Sequence, residues 1–249
     1  ARGGKLPFVH SFACFLSTRP NEQIYNNASE RSKIVYVGSL AGLLPAGPGH
    51  SHQSVRDISA LNGVPGLALI QPGCAAEVAM AVEWATGVAK DSVYLRLCSI
   101  PYPQRISLAE GYEFRPGVGC SIADGEDAVL IAYGPIMLNQ ALSVRDILAD
   151  KGISLKVVNL PWLNRIDAGW LADTLAGSRH LFTLDDHYIQ GGQGEMVAAQ
   201  IAESAVGIGV TRFGIEQFPR CGRNDEVLAA HALMRPRSPA GSSRSWHRD

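Results

Sequence analysis

The sequence lacks the charge imbalance and the long apolar runs that would point to nucleic acid or a membrane. Among its 249 residues, 22 are Lys or Arg and 23 are Asp or Glu, which gives a formal net charge of −1. A nucleic-acid-binding domain shows a basic excess, and a membrane-spanning helix needs roughly 20 apolar residues in a row. The most apolar stretch, 64–89, is interrupted by two prolines and two glutamates. We therefore expect neither nucleic acid nor a membrane as a partner.

Paired cysteines and the common catalytic motifs are also missing. The five cysteines are odd in number and scattered, with no CxxC, so neither a disulfide framework nor a zinc site is indicated. We expect reduced thiols, a cytoplasmic location and no metal ligands in this chain. The sequence contains no GxSxG, no HExxH and no protein-kinase motifs. No motif therefore indicates Ser-His-Asp catalysis.

What the sequence does have is a regular alternation of short β-branched runs and helical patterns. The runs predict strands at 33–38, 67–72, 93–98, 128–134, 154–160, 180–186 and 209–215. Helical spacing of apolar residues predicts helices at about 53–61, 75–89, 168–176 and 194–205. It also predicts a helix after the strand at 128–134, with Met137, Ala141, Val144 and Leu148 on one stripe. Such alternation indicates parallel sheets covered by helices on both faces, so we predict an α/β fold with two such units.

A polar segment rich in Pro and Gly divides the two predicted units. We place the first domain at 1–105, a linker at 106–125, the second domain at 126–234 and a disordered tail at 235–249. The first residues resemble the end of a helix, a turn and a strand. We therefore expect that an upstream segment is missing or lies on another chain.

The stretch "LPAGPGHSHQSVRDISALNG" (44–63) places two of the seven histidines directly after a Gly-Pro-Gly turn. The turn follows a predicted strand, and open α/β sheets bind ligands outside the carboxyl ends of their strands. His50 and His52 could exchange protons there near neutral pH. A histidine that only holds the loop through a backbone hydrogen bond is an equally good interpretation of the residues alone.

Three further features have both a functional and a structural interpretation. Phe12 and Phe15 lie at helical i, i+3 spacing and could stack on a flat heterocycle, although core packing is the commoner use. Arg96, near the end of a strand, could bind an anion or form a salt bridge. The glycine turn in "DDHYIQGGQGEM" (185–196) suggests a phosphate cradle, but close packing of helix on strand explains it better.

Several segments in order resemble the transketolase family. "LPFVHSFACFL", "GPGHSHQSVRDISALNGVPGLALIQP" and "VYLRL" are similar to its pyrimidine-binding domain. "DAVLIAYGPIMLNQAL", "SLKVVNLPWLNRID", "TLDDHYIQGGQGEMVAAQIAE" and "FPRCGRNDEVLAAHAL" are similar to its C-terminal domain. The resemblance implies a transferase that depends on thiamine diphosphate and moves a two-carbon ketol unit from a ketose to an aldose.

The resemblance also implies roles for individual residues. Phe12 and Phe15 match the aromatic positions beside the aminopyrimidine ring of the cofactor. His52 and Gln53 match the pair that faces the reacting carbon and the substrate, and His50 lies in a short expansion of that loop. Arg96 remains the candidate for a substrate anion. The C-terminal domain of the family is expected to serve assembly and structure.

Other family features have no counterpart in this chain. Neither the glutamate that activates the aminopyrimidine nor the Gly-Asp-Gly motif for diphosphate and Mg²⁺ can be assigned. The resemblance therefore implies an N-terminal transketolase-type subunit that holds the diphosphate and Mg²⁺, in a homo- or hetero-oligomer with small sugar substrates. Ala46, Gly38 and Ser99 stand where family members carry an acidic residue and two phosphate contacts, which suggests an unusual acceptor.

Three alternatives stay open on the sequence. The chain could be the β-type subunit of a 2-oxo acid dehydrogenase, an enzyme like deoxyxylulose-phosphate synthase, or an assembly subunit without catalytic activity.

Overall fold

The first domain is built on a four-stranded, fully parallel sheet. The computed structural model describes residues 1–204 and 206–233. The strands are β1 (Phe8–Phe12), β2 (Val35–Ser39), β3 (Ala68–Ile70) and β4 (Val93–Arg96), in the order β1-β2-β4-β3. Because every pair is parallel, the carboxyl ends of all four strands meet at one edge of the sheet.

The helices of the first domain follow the apolar pattern, with shifted ends. They are α1 (Ala13–Leu16), α2 (Asn21–Ser29), α3 (Asp57–Asn62) and α4 (Ala75–Glu83), the last continued by a π-helical turn (Trp84–Val88). The predicted helix at 53–61 starts four residues later, because Gln53–Arg56 remain in the loop after β2. Phe12 ends β1 and Phe15 lies in α1, so the two rings do not share one helix face.

The second domain contains a mixed five-stranded sheet. Its strands are β5 (Cys120–Ala123), β6 (Ala128–Ala132), β7 (Leu155–Asn159), β8 (His180–Tyr188) and β9 (Gly209–Ile215), in the order β5-β7-β6-β8-β9. Only β5 is antiparallel, and its register with β7 shifts between Ser121 and Ala123. The strand β5 falls within 106–125, the stretch predicted to be a linker. A four-residue strand without clear alternation gives too weak a pattern to be recognised.

Four helices cover the second sheet: α5 (Gly134–Ala149), α6 (Ala168–Leu175), α7 (Gln193–Glu203) and α8 (Asn224–Ala230). In α5, Met137 and Ala141 are buried against the sheet, as their helical spacing predicts. The α/β fold with mostly parallel sheets flanked by helices is therefore confirmed. The proposed domain limits stay a prediction, and the predicted disordered tail at 235–249 lies outside the described residues.

The two domains share apolar core clusters, since the buried residues of each large cluster come from both domains. Trp84 of the first domain meets Trp162 of the second edge-on, with ring centroids 4.8 Å apart. The backbone N–H of Leu163 donates to the carbonyl of Leu69 across the boundary at 2.9 Å. This packing holds the two domains together. Within the described residues, no helix is both long and apolar enough to cross a membrane.

Candidate functional site

The loop after β2 carries both histidines and lies at the carboxyl edge of the first sheet. Gly42 and Gly49 adopt φ values of +84° in this loop, a conformation that L side chains rarely take. The Gly49 N–H donates to the Ala46 carbonyl at 3.1 Å, and the His52 N–H donates to the Gly49 carbonyl at 2.9 Å. The glycines therefore allow the tight turns that point the end of the loop back towards β1.

The structure brings three of the predicted site residues together. The His52 ring lies 5.1 Å from the Phe15 ring and 5.9 Å from the Phe12 ring, measured between centroids. The two phenylalanine rings are themselves 5.9 Å apart and tilted by 44°. The His52 Nδ1 is within hydrogen-bonding distance of the Ser51 hydroxyl, at 3.0 Å. We call Phe12, Phe15 and His52 the ring cluster.

Only part of the ring cluster is open to a ligand. Phe12 is 39% exposed. It is the last residue of β1 and therefore lies at the carboxyl edge of the sheet. Phe15 is half-buried, and the Arg19 guanidinium lies over its ring at 3.9 Å from the centroid. This cation–π contact was not predicted, because nothing in the sequence shows that Arg19 would fold back over the ring. A flat heterocycle could stack on Phe12 and meet His52 at its edge.

The other two candidates of the loop lie apart from the ring cluster. His50 is exposed at the tip of the turn. Gln53 is buried, and its Nε2 donates to the carbonyls of Leu43 at 3.1 Å and Arg220 at 2.9 Å. The Oε1 of Gln53 is also buried and has no hydrogen-bond partner among the described residues. The Gln53 amide thus holds the loop in place, and its role towards a substrate stays a prediction.

Arg96 lies at the centre of a buried polar network. Its guanidinium is fully buried and pairs with Asp57 at 2.9 Å and with Asp186 of the second domain at 2.6 Å. It also donates to the Gln71 side chain and, at 2.9 Å, to the Ser54 carbonyl. The structure thus favours the salt-bridge interpretation of Arg96 over an open anion site.

The charges of this network stabilise one another. Burial by itself lowers the pKa of Arg96, but the carboxylates of Asp186 and Asp57 outweigh it and hold that pKa well above its ordinary value. Burial and the neighbouring Asp57 raise the pKa of Tyr94 well above its usual range. The Tyr94 hydroxyl accordingly stays protonated and donates to Asp57 at 2.8 Å.

The three positions that depart from the family pattern have structural uses here. The ring of Tyr94 fills the space beside Gly38, and its hydroxyl lies 2.5 Å from the point that a Cβ would occupy. The Ser99 hydroxyl accepts from the N–H of Leu40 at 3.2 Å. Ala46 is buried in the apolar core. None of these three residues has the acidic or phosphate-binding side chain that the family resemblance implies at its position.

The glycine turn at 185–196 does not form a phosphate cradle. The carboxylate of Asp185, a residue of β8, lies at the start of α7, where it accepts from the N–H groups of Gln193 and Gly194 at 3.0 Å each. Burial raises the pKa of Asp185. A Cβ at Gly194 would overlap the Thr183 side chain, so the turn allows helix and strand to pack closely. This agrees with the packing interpretation of the turn.

The residues present fit only the ring end of a thiamine cofactor. The exposed Phe12 ring and the edge of His52 offer a stacking surface. No group of three or more His, Cys, Asp or Glu among the described residues could hold a metal ion. An apolar groove of about 680 Å³ opens in the second domain between α5, the sheet and α8, but it holds none of the site residues.

Comparison with known proteins identifies the chain. Residues 1–104 match the transketolase pyrimidine-binding domain, and residues 119–237 match the transketolase C-terminal domain. A protein of Methanocaldococcus jannaschii named as a transketolase C-terminal section is 30% identical over 94% of this chain and 73% of its own length. The chain belongs to the transketolase family. Its members depend on thiamine diphosphate, and the family is one of transferases.

Two further relatives of this transketolase-family chain are informative. One of the subunits of the apulose-4-phosphate transketolase of Actinobacillus succinogenes is 29% identical over 86% of this chain and 68% of its own length. A solved structure, described as an inactive β4 tetramer of a split-gene transketolase, superposes with a TM-score of 0.80 at 26% identity, over 94% of this chain and 73% of that chain. The chain spans between 65% and 73% of the length of three curated relatives that it matches.

Proposed function

We propose that this chain is the C-terminal subunit of a two-chain transketolase. It would take part in moving a two-carbon ketol unit from a ketose to an aldose. The observation that carries the proposal is the ring cluster, which places an imidazole beside an exposed aromatic ring at the ligand-binding edge of a parallel sheet. The relatives named as one subunit of a transketolase and as a split-gene transketolase support it.

The residues of this chain would do a limited share of the chemistry. Thiamine diphosphate would stabilise a carbanion, which protein side chains cannot do. Phe12 and Phe15 would hold the aminopyrimidine ring by stacking. His52 would orient the substrate and accept or return protons at its hydroxyl groups, because an imidazole changes charge near neutral pH. His50, at the rim of the same loop, is the second candidate for this role.

A partner chain would complete the site. We propose that an N-terminal transketolase subunit holds the diphosphate and Mg²⁺ and supplies the activating glutamate. The β4 tetramer of the related split-gene protein is described as inactive. By analogy, this chain without its partner would self-associate and lack activity. Carbohydrate metabolism in the cytoplasm is the setting that we propose.

The substrates would be small sugars, with an acceptor unlike ordinary pentose phosphates. Gly38, Ala46 and Ser99 give no side-chain contact of the kind that transketolases use for phosphate and sugar hydroxyls. A screen of aldose acceptors with and without phosphate tests this point. Equal turnover with pentose phosphates and no better acceptor would refute it.

Reconstitution tests the proposed function. The chain is mixed with an N-terminal transketolase subunit, thiamine diphosphate and Mg²⁺, and ketol transfer and cofactor binding are measured. Ketol transfer only in the mixture supports the proposal. Consumption of pyruvate would favour the alternative like deoxyxylulose-phosphate synthase. A requirement for a lipoyl-bearing protein would favour the 2-oxo acid dehydrogenase alternative. If neither cofactor binding nor turnover appears with any partner, the result would favour the assembly role.

Paired substitutions test the site residues in the active mixture. We expect His52→Ala to lower kcat by about 10²- to 10⁴-fold, the range of general acid-base catalysis, with cofactor affinity nearly unchanged. Phe12→Ala should mainly weaken cofactor binding, because it removes the stacking surface. His50→Ala is the matched histidine control. A larger loss of kcat in His50→Ala than in His52→Ala would reverse our assignment of the two histidines.

A further inference from the structure

The loop that carries His52 is held from the side by the last segment of the second domain. Asn224 begins α8, and its Oδ1 accepts from the backbone N–H of Ala46 at 3.0 Å. The carbonyl of Arg220 accepts from the Gln53 side chain at 2.9 Å. These two contacts lie on either side of the turn that leads to His52.

The end of β8 holds the residues that follow His52. The N–H of Tyr188 donates to the Val55 carbonyl at 2.9 Å. His187 is fully buried; its Nε2 accepts from the N–H of Ser59 at 3.3 Å, and its Nδ1 donates to the Tyr188 carbonyl at 2.7 Å. Both ring nitrogens are used, so His187 fixes the start of α3 against β8.

Asp186 reaches the same loop through Arg96. The guanidinium joins the Asp186 carboxylate at 2.6 Å to the Ser54 carbonyl at 2.9 Å, two residues after His52. A Cβ at Gly42 would overlap the Asp186 carboxylate, so the first part of the loop also packs directly on this side chain. One buried carboxylate of the second domain thus packs directly on the first part of the loop and reaches its end through Arg96.

His52 has few contacts of its own that could set its position. Its imidazole meets the two phenylalanine rings and the hydroxyl of Ser51, a residue that is itself exposed. The direction of the ring therefore depends on the loop backbone, which is held by its own internal hydrogen bonds, by Arg96, by β8 and by the segment 220–224. Reaction rates are sensitive to displacements of about 1 Å between reacting groups.

We propose that Asp186 and Asn224 are positioning residues for His52. The second domain would then set the geometry of proton transfer, beyond the assembly role that the family resemblance implies. The inference rests on the proposed function in treating His52 as the acid-base group. The positioning itself can be measured in the isolated chain.

Asn224 gives the cleaner of two tests, because it is only half-buried. Asn224→Ala removes the acceptor of the Ala46 N–H, whereas Asn224→Asp keeps an oxygen there. The matched control is Asn164→Ala. Asn164 is also half-buried and bridges the domains through the backbone of Leu67 and Leu69, at 2.9 and 3.0 Å, away from the His52 loop.

The first readout is kinetic and uses the chain assembled with its partner. We expect Asn224→Ala to lower kcat by about tenfold or more, given the sensitivity of rates to misplacement, with cofactor affinity unchanged. Asn224→Asp should restore most of the rate. Asn164→Ala should lower the unfolding temperature and leave kcat near that of the parent. Equal loss of kcat in the two Ala variants would overturn the proposal.

The second readout does not need catalysis. In the isolated chain labelled with ¹³C and ¹⁵N at histidine, the imidazole signals of His52 are assigned by their loss in His52→Ala. We expect Asp186→Asn and Asn224→Ala to shift these signals and Asn164→Ala to leave them in place. Unshifted His52 signals in Asn224→Ala would overturn the positioning role even if Asp186→Asn failed to fold. Shifted signals without ketol transfer from the parent mixture would instead reject the proposed function.

Discussion

Gly38 illustrates how one residue can be explained by its neighbour in space. The position has no positive φ and lies within β2, so the backbone does not require a glycine there. Tyr94 on the adjacent strand requires it, because its ring and hydroxyl occupy the space of a side chain at Gly38. Tyr94 in turn holds Asp57, a partner of Arg96. The position at which the family resemblance implies a phosphate contact thus borders a buried network in this chain.

We expect Gly38→Ala to destabilise the chain by about 1–3 kcal/mol, the usual cost of forcing extra volume into a packed core. Chemical denaturation followed by circular dichroism measures the change. Gly63→Ala is the control, since a Cβ at Gly63 would meet nothing within 4 Å. An equal effect of the two substitutions would show that Tyr94 does not determine the glycine at 38.

Burial predicts a clear order of reactivity among the cysteines. Burial, then the nearby Glu77 and Cys74, raise the pKa of the Cys120 thiol from 9.0 to about 11. At pH 8 this thiol stays protonated, so we expect iodoacetamide to label the exposed Cys221 first and Cys120 only after unfolding. Mass spectrometry of native and denatured samples, with Cys221→Ser as control, decides this. Rapid native labelling of Cys120 would contradict it.

The same shift gives a pH dependence with a defined sign. Below pH 9 the thiol is protonated in both states, so it does not affect the pH dependence of stability. Between pH 9 and about 11 the unfolded chain releases a proton that the folded chain retains, so stability falls as pH rises. We expect Cys120→Ala to lose less stability than the parent across this window in urea unfolding. Parallel curves would contradict the assignment.

At the scale of elements, the helix starts are determined by caps as well as by apolar spacing. Asp167 precedes α6, and its carboxylate accepts from the Trp170 N–H at 2.8 Å. The helix begins at Ala168, where the sequence pattern places it. At the start of α8, Asn224 is of a residue type that often caps helices, but its side chain accepts from the distant Ala46 N–H instead. A local pattern cannot show that a distant N–H competes for the same oxygen.

We expect Asp167→Ala to cost about 0.5–2 kcal/mol, the range for removing a helix N-cap. Asp167→Asn should cost much less, because its side-chain oxygen can accept the same hydrogen bond. Thermal unfolding at constant pH separates the two variants. Similar losses in both would show that the carboxylate charge, rather than the cap hydrogen bond, stabilises the helix.

At the scale of the whole molecule, buried polar contacts join the two domains. Arg96 pairs with Asp186 on one side. On another, the Asn159 amide donates to the fully buried Glu77 carboxylate at 2.8 and 2.9 Å. Each of these contacts would be lost if the domains separated. The polar contacts and the shared apolar core therefore favour unfolding of both domains together.

We expect one cooperative transition, with coincident midpoints for circular dichroism and tryptophan fluorescence. Arg96→Met should shift both midpoints together and destabilise the chain by about 3–5 kcal/mol, because it leaves Asp57 and Asp186 without their buried cation. Arg145→Met, which removes one partner of an exposed ion pair with Asp146, should change stability by at most about 1 kcal/mol. Two separate transitions in the parent would contradict the shared-core interpretation.

The sequence by itself determined the α/β fold class, most strands and helices, and the proximity of a histidine loop to a sheet edge. These follow from local rules, since β-branched runs, apolar spacing and Gly-Pro turns act over a few residues. The tertiary structure decided which side chains meet. It brought His52 to Phe12 and Phe15, buried Gln53 and paired Arg96 with Asp186, 90 residues further along the chain. Such contacts depend on how the two domains pack, and no short segment of the sequence encodes that packing alone.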